Sequence, residues 1–226
     1  DAFLDHFALE RERGITIFSK QARFQWKNVD FTLLDTPGHV DFSAETERTL
    51  QVLDYAVLVI SAADGVQGHT RTLWKLLKHY EVPVFLFVNK MDQPAADESR
   101  LMRELKEKLN ANCVCFHGWR QDDVHMKSET DAAGVSGAEG VGGSEDVNGV
   151  EDADGIEDVS GAEDMWEEIA TCHEELMNLY LETGELPAAR IAQAVAERQV
   201  FPCFFGAALH GRGVEELLDG IAVYGM

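Results

Sequence analysis

Three short runs of nearly unbroken apolar residues, at 55–61, 84–88 and 200–205, constrain this chain more than any other feature. Each is strand-sized. A strand that lacks apolar–polar alternation is covered on both faces, as in a parallel sheet flanked by helices. The segments between these runs carry helical periodicity, at 44–53, 70–80, 97–109, 165–181 and 214–223. In the fourth, Trp166, Ile169, Leu176 and Tyr180 recur at helical spacing and Asp164 can cap the start. Upstream, residues 15–26 and 29–34 are β-rich and meet at Lys27-Asn28, which reads as a hairpin. Strand and helix therefore alternate, and the fold class is α/β: a mostly parallel sheet with helices on both faces.

Composition supports a folded body with one exception. At 226 residues and 45% hydrophobic, the chain can bury a sizeable core. The exception is 121–164, which holds 14 acidic residues and one lysine, and so carries −13 of the formal charge of −22. It also holds eight glycines, and Ser-Gly-Ala-Glu at 136–139 is echoed at 160–163. Sequence of this kind has too little apolar surface to offset ordering entropy. We expect residues 117–164 to be a disordered, low-complexity acidic insertion that splits one domain into 1–116 and 165–226. It reads either as a solvated spacer or as an acidic arm for a basic partner. Asp152, Asp154 and Glu157 lack the full spacing of an EF-hand calcium loop.

The remaining bounds are quickly drawn. The net charge argues against a simple nucleic-acid binder, which needs excess Lys and Arg. The longest apolar run, 82–88, falls far short of the roughly 20 residues a membrane helix requires. Cys113, Cys115, Cys172 and Cys203 are too few and too scattered for a disulfide framework, so reduced thiols in a cytosol are expected. Cys113 and Cys115 share one face of a probable strand and read as core. Trp74 likewise reads as core. His117, His173 and His210 show no metal-ligand spacing.

In an open α/β sheet, ligands bind beyond the carboxyl ends of the strands. After 29–34 comes Asp35-Thr36-Pro37-Gly38-His39-Val40-Asp41-Phe42. An aspartate there can hold magnesium through water, Gly38 lets a backbone N–H approach a phosphate, and His39 stands where an attacking water needs orienting. After 84–88 comes Asn89-Lys90-Met91-Asp92, in which the carboxylate can accept two donors of guanine and the lysine stem can cover the base. After 200–205 comes Gly206-Ala207-Ala208-Leu209, whose small residues can present backbone N–H groups to a purine oxygen. Arg11-Glu12-Arg13-Gly14-Ile15-Thr16-Ile17 offers a hydroxyl ligand before the hairpin. Each piece alone could be a polar turn. Four in this order, each beside a strand, argue for a nucleotide site.

These residues resemble the GTP-binding domain of translational GTPases. Asp-Thr-Pro-Gly-His-Val-Asp-Phe is the form found in elongation factor G and its relatives. Phe24-Gln25-Trp26, Val59-Ile60-Ser61-Ala62 and Asn-Lys-Met-Asp-Gln lean towards the tetracycline ribosomal-protection branch. The resemblance covers nearly everything outside 117–164 and implies a P-loop-type fold. It implies that Thr16 coordinates magnesium, that Asp35 holds it through water, and that Gly38 donates to the γ-phosphate. His39 would position the hydrolytic water, with Ile15 as one side of an apolar gate before it. Asn89, Lys90 and Asp92 would read guanine, and Ala207, Ala208 and Leu209 would form the remaining base-contact motif. The implied activity is GTP hydrolysis to GDP and phosphate, with Mg2+, on the ribosome, by a monomeric cytoplasmic protein with no membrane partner.

Two departures stand out. Ala207 replaces the serine that usually opens the last motif, which predicts weaker support of the base. The phosphate-loop pattern Gly-x-x-x-x-Gly-Lys-[Ser/Thr] is absent, since no Gly-Lys dipeptide occurs in the chain. Because the chain opens at Asp1 without methionine or signal peptide, we expect its first strand and phosphate loop to precede Asp1, and the piece alone to be inactive. The alternative is a binding module that lacks a phosphate loop by nature and never hydrolyses GTP.

Overall fold

The computed structural model describes residues 19–37, 43–116 and 159–225. The hairpin is β1 (Lys20–Trp26) and β2 (Val29–Asp35), antiparallel, with Phe24 registered against Phe31. Those two rings stack at 5.1 Å. Lys27 turns the chain at φ 50°, a left-handed conformation that ordinary side chains adopt only rarely.

Beyond α1 (Ser43–Leu50) the strands are β3 (Ala56–Ser61), β4 (Val84–Asn89), β5 (Cys113–Cys115) and β6 (Phe201–Phe205). They form one parallel sheet in the order β3-β4-β6-β5. The crossovers carry α2 (Gly68–His79), α3 (Glu98–Lys108), then α4 (Val159–Ala170), α5 (Glu174–Thr183) and α6 (Ala188–Ala196), and α7 (Val214–Tyr224) ends the fold.

The sheet separates two cores. On one face Leu58, Ile60, Val84, Leu86, Val88, Cys113 and Cys203 pack with Trp74 and Leu77 of α2 and Leu101 and Leu105 of α3. On the other, Phe85, Phe87, Val114 and Phe204 pack with Ile169, Leu176, Ile191, Val195 and Tyr224 of the last four helices. Every residue from Val84 to Val88 is buried. This strand is covered on both faces, and that is why it carries no polar alternation. Cys113 lies on a strand in the core and Trp74 is buried, both as expected.

Among the described residues β3 is an edge strand, and Val57 and Val59, expected to be covered, are exposed on one face. Three further expectations are corrected. The periodic stretch 165–181 is two helices. Thr171 Oγ1 donates to the Glu168 carbonyl at 2.7 Å, Cys172 Sγ donates to the same oxygen, and His173 caps the second helix. The first two bonds satisfy a carbonyl of the last turn of α4, where the helix stops. Because α4 begins at Val159, Asp164 lies inside the helix and does not cap it, and six residues of the expected acidic insertion are helical. Residues 117–158 lie outside the described residues. The helix at Ala188–Ala196 was not expected, although Pro187 at its start and Ile191, Ala192 and Val195 at helical spacing mark it. Among the described residues, no helix is long and apolar enough to cross a membrane.

Candidate nucleotide site at the strand ends

The register aligns the carboxyl ends of three strands. Ser61 pairs with Asn89 and Val88 with Phe205, so the loops that follow β3, β4 and β6 emerge side by side.

The loops after β4 and β6 are tied to each other by backbone. Met91 N–H donates to the Gly206 carbonyl and Gly206 N–H to the Val88 carbonyl, each at 2.9 Å. At the centre is the Asn89 side chain. Its Oδ1 accepts from Lys90 N–H at 2.8 Å and from Ala208 N–H at 2.9 Å, a residue 119 positions away. One carboxamide oxygen thus clasps both loops. Lys90 takes φ 66°, a left-handed turn that carries the chain off the strand at some cost in strain. Gly206 is required by space, because a Cβ there would lie 2.3 Å from the Arg212 carbonyl oxygen.

Past Gly206, Ala207 and Arg212 exchange two backbone hydrogen bonds, at 2.9 and 3.3 Å, and close a single 3-10 turn over Ala208–His210. Gly211 in the left-handed region completes it. The turn leaves Leu209 92% exposed. It also brings His210 Nε2 to 3.7 Å from Asp92 Oδ2.

The small residues at 206–209 read as able to present backbone N–H groups to a purine oxygen; here the N–H groups of Ala207 and Ala208 have partners of their own. Both are engaged inside the protein, by Arg212 O and Asn89 Oδ1. The methyl of Ala207 is buried, where the usual serine would carry a hydroxyl.

The loop after β3 is held differently. Ala62 N–H donates to the Asn89 carbonyl at 2.8 Å, and Val66 N–H donates to Glu104 Oε1 of α3 at 2.9 Å. Lys108 Nζ also donates to that oxygen, at 2.6 Å, and Arg100 lies 3.9 Å from the other. Burial works to raise the Glu104 carboxyl's pKa, but the Lys108 bond, the Val66 N–H and the neighbouring cations outweigh it and hold the group below the usual range. Gly65, at φ 64°, lies so close that a Cβ would meet Glu104 Oε2 at 2.5 Å.

On the hairpin side, Asp35 ends β2, half-buried and registered with Lys20. Two residues on, the Pro37 carbonyl accepts from Thr46 Oγ1 of α1 at 2.9 Å. Ile15, Thr16, Gly38 and His39 lie outside the described residues. The described set therefore brings together Asn89, Lys90, Asp92, Ala207, Ala208 and Leu209 at one sheet end.

A sequence profile of the elongation factor Tu GTP-binding domain matches residues 1–224. The chain belongs to this family. It is therefore a GTP-binding domain of the translational GTPases, with the α/β architecture of P-loop GTPases. Among solved structures it is similar to the crystal structure of a protein from Thermus thermophilus, at 21% identity and a TM-score of 0.70. That match covers 96% of this chain and 33% of the other, so the chain spans about a third of the neighbour's length. At this identity the likeness concerns the fold. Within this translational GTPase domain, sequence reasoning found the strand-end motifs. It missed the clasping role of Asn89 and the approach of His210 to Asp92. Asn89 is signalled only by its place as the last residue of a strand. His210 has no signal short of the loop geometry.

Proposed function

We propose that this domain belongs to a ribosome-dependent GTPase of the elongation factor G or tetracycline ribosomal-protection type, which converts GTP and water to GDP and phosphate. The observation that carries this reading is the Asn89 clasp, which binds the Asn-Lys-x-Asp loop and the Gly-Ala-Ala-Leu loop into one rigid unit at the end of the sheet. A unit of that kind can recognise a flat base: the Lys90 stem covers one face, residues 206–209 form a wall, and the Asp92 carboxylate, 44% exposed, accepts the two donors of the guanine edge.

Catalysis in this reading is positional and electrostatic. A water attacks the γ-phosphorus in line while the bond to the GDP oxygen breaks. His39 orients that water, Ile15 forms one side of the gate before it, and Gly38 donates its N–H to the γ-phosphate. A half-buried carboxylate at a strand end suits a hard cation, so Asp35 fits a magnesium site and Thr16 would add a hydroxyl. The ion would neutralise charge on the β- and γ-phosphates. The phosphate cradle itself is not among these 226 residues. The edge of β3, unpaired among the described residues, is a place where a further strand could pair and deliver it. A monomeric protein working in the cytoplasm accords with this role.

The test uses the full-length protein and its His39→Ala variant, with GTP hydrolysis followed with and without ribosomes. We expect ribosomes to stimulate the wild type strongly. The variant should lose that stimulation by orders of magnitude, with GTP binding near normal. Guanine binding with no hydrolysis, with or without ribosomes, would instead establish the binding module.

A further inference from the structure

We infer that His210 tunes the affinity of the guanine site by competing with the base for Asp92, so that protonation of His210 and capture of guanine oppose each other. The inference rests on the reading of Asp92 as the base-binding carboxylate.

The two side chains come from different loops, and the loops fix their meeting. Asp92 follows Lys90 and Met91, and Met91 is bonded to Gly206. His210 ends the turn closed by the Ala207–Arg212 pair, whose Ala208 N–H is held by Asn89. The braced backbones bring the two side chains within reach, with Nε2 and Oδ2 3.7 Å apart. It is too long for a hydrogen bond from a neutral ring and short enough for an ion pair with a protonated one. Among the described residues Asp92 is the ion-pair partner of His210. Lys90 on the Asp92 loop and Arg212 on the His210 loop carry the nearest charges in sequence.

A guanine edge presents two donors, one to each carboxylate oxygen. An imidazolium at Oδ2 draws on one of those oxygens and must give it up when the base arrives. Two ligands that compete for one group weaken each other equally, whichever binds first. Nucleotide binding therefore releases a proton from His210, and acid weakens nucleotide binding. The two side chains are 62% and 44% exposed, so the effect is small. For an exposed pair it amounts to about threefold in affinity.

The experiment measures GDP affinity of the full-length protein and of its His210→Gln variant at about pH 8 and about pH 5.5. The β-phosphate of GDP titrates alike for both proteins and cancels in their ratio. Between the two pH values the wild type should lose about threefold more affinity than the variant. Superimposable profiles, with guanine still preferred over adenine, would overturn the role of His210 alone. Loss of any guanine preference at the higher pH would overturn the reading of Asp92, and this inference with it.

Discussion

The loops after β4 and β6 and the β1–β2 hairpin are attached to the fold in opposite ways. The loops are extensions of a parallel sheet and are held to each other by backbone hydrogen bonds and by the two bonds to Asn89 Oδ1. The hairpin is a separate two-stranded sheet among the described residues. Its ties are side chains: Trp26 Nε1 donates to Asp219 Oδ1 at 2.7 Å, Lys27 Nζ meets the same oxygen at 2.8 Å, and Ser19 bonds Thr49 at 2.7 Å. Backbone ties over several residues leave a loop one arrangement. A few side-chain ties to α7 and α1 can be exchanged for others. The strand-end loops are therefore braced by backbone, whereas the ties described for the hairpin run through side chains. If this contrast is right, Asn89→Ala has the largest effect of any single change at the strand ends. It leaves two N–H groups without their acceptor and uncouples the loops. We expect about 2 kcal/mol, or roughly 30-fold, off GDP affinity, read by titration of the full-length protein. A loss below about threefold would mean that the backbone bonds of Met91 and Gly206 hold the loops without Asn89.

How much of this was legible in the sequence follows the same division. The strand ends were legible because their chemistry lies within a few residues: Asn89 to Asp92, and Gly206 to Leu209. The two-faced burial of β4 was written in its unbroken apolar run. What was not legible depends on contacts across distance. That Asn89 serves the loop backbone follows from the pairing of β4 with β6, which brings Ala208 to it over 119 positions. Which neighbours β3 has could not be read, because an apolar run does not say what it pairs with. The break between α4 and α5 depends on Thr171 and Cys172 turning their side chains back onto Glu168, where helical periodicity alone continues smoothly from Trp166 to Tyr180.

The loop after β3 sits between the two extremes, with a backbone tie from Ala62 to Asn89 and side-chain ties to Glu104 and from Arg100. Replacing Glu104 with Gln measures how much its tie contributes. The carboxylate accepts from Val66 N–H and Lys108 while Arg100 lies beside it, so its charge matters. At neutral pH we expect about 1–2 kcal/mol of lost stability by chemical denaturation. The sign of the pH dependence follows from the lowered pKa of the folded state. The contribution is complete above the unfolded carboxylate value of about 4.3 and disappears as pH falls through the lower folded value. Wild type and variant should therefore differ at pH 7 and converge in acid. A constant gap across that range would assign the effect to packing beside Gly65 and not to charge.

The smallest expected effect is on the hairpin, and it separates the two bonds that meet at Asp219. Asp219→Asn keeps an oxygen that can accept from the Trp26 indole but removes the charge facing Lys27. Lys27 is 44% exposed, so the ion pair is worth about 0.5 kcal/mol and weakens further in salt. Asp219→Ala removes the indole's acceptor as well, at about 1 kcal/mol more. Stability measured for both variants at low and high salt should show a salt-sensitive loss for Asn and a further, salt-insensitive loss for Ala. Ordered in this way, the two losses would place the indole bond above the ion pair as the tie between hairpin and α7. If both variants lost several kcal/mol, the hairpin would be anchored as firmly as the strand-end loops, and the contrast between backbone-braced loops and a hairpin tied by side chains would fail.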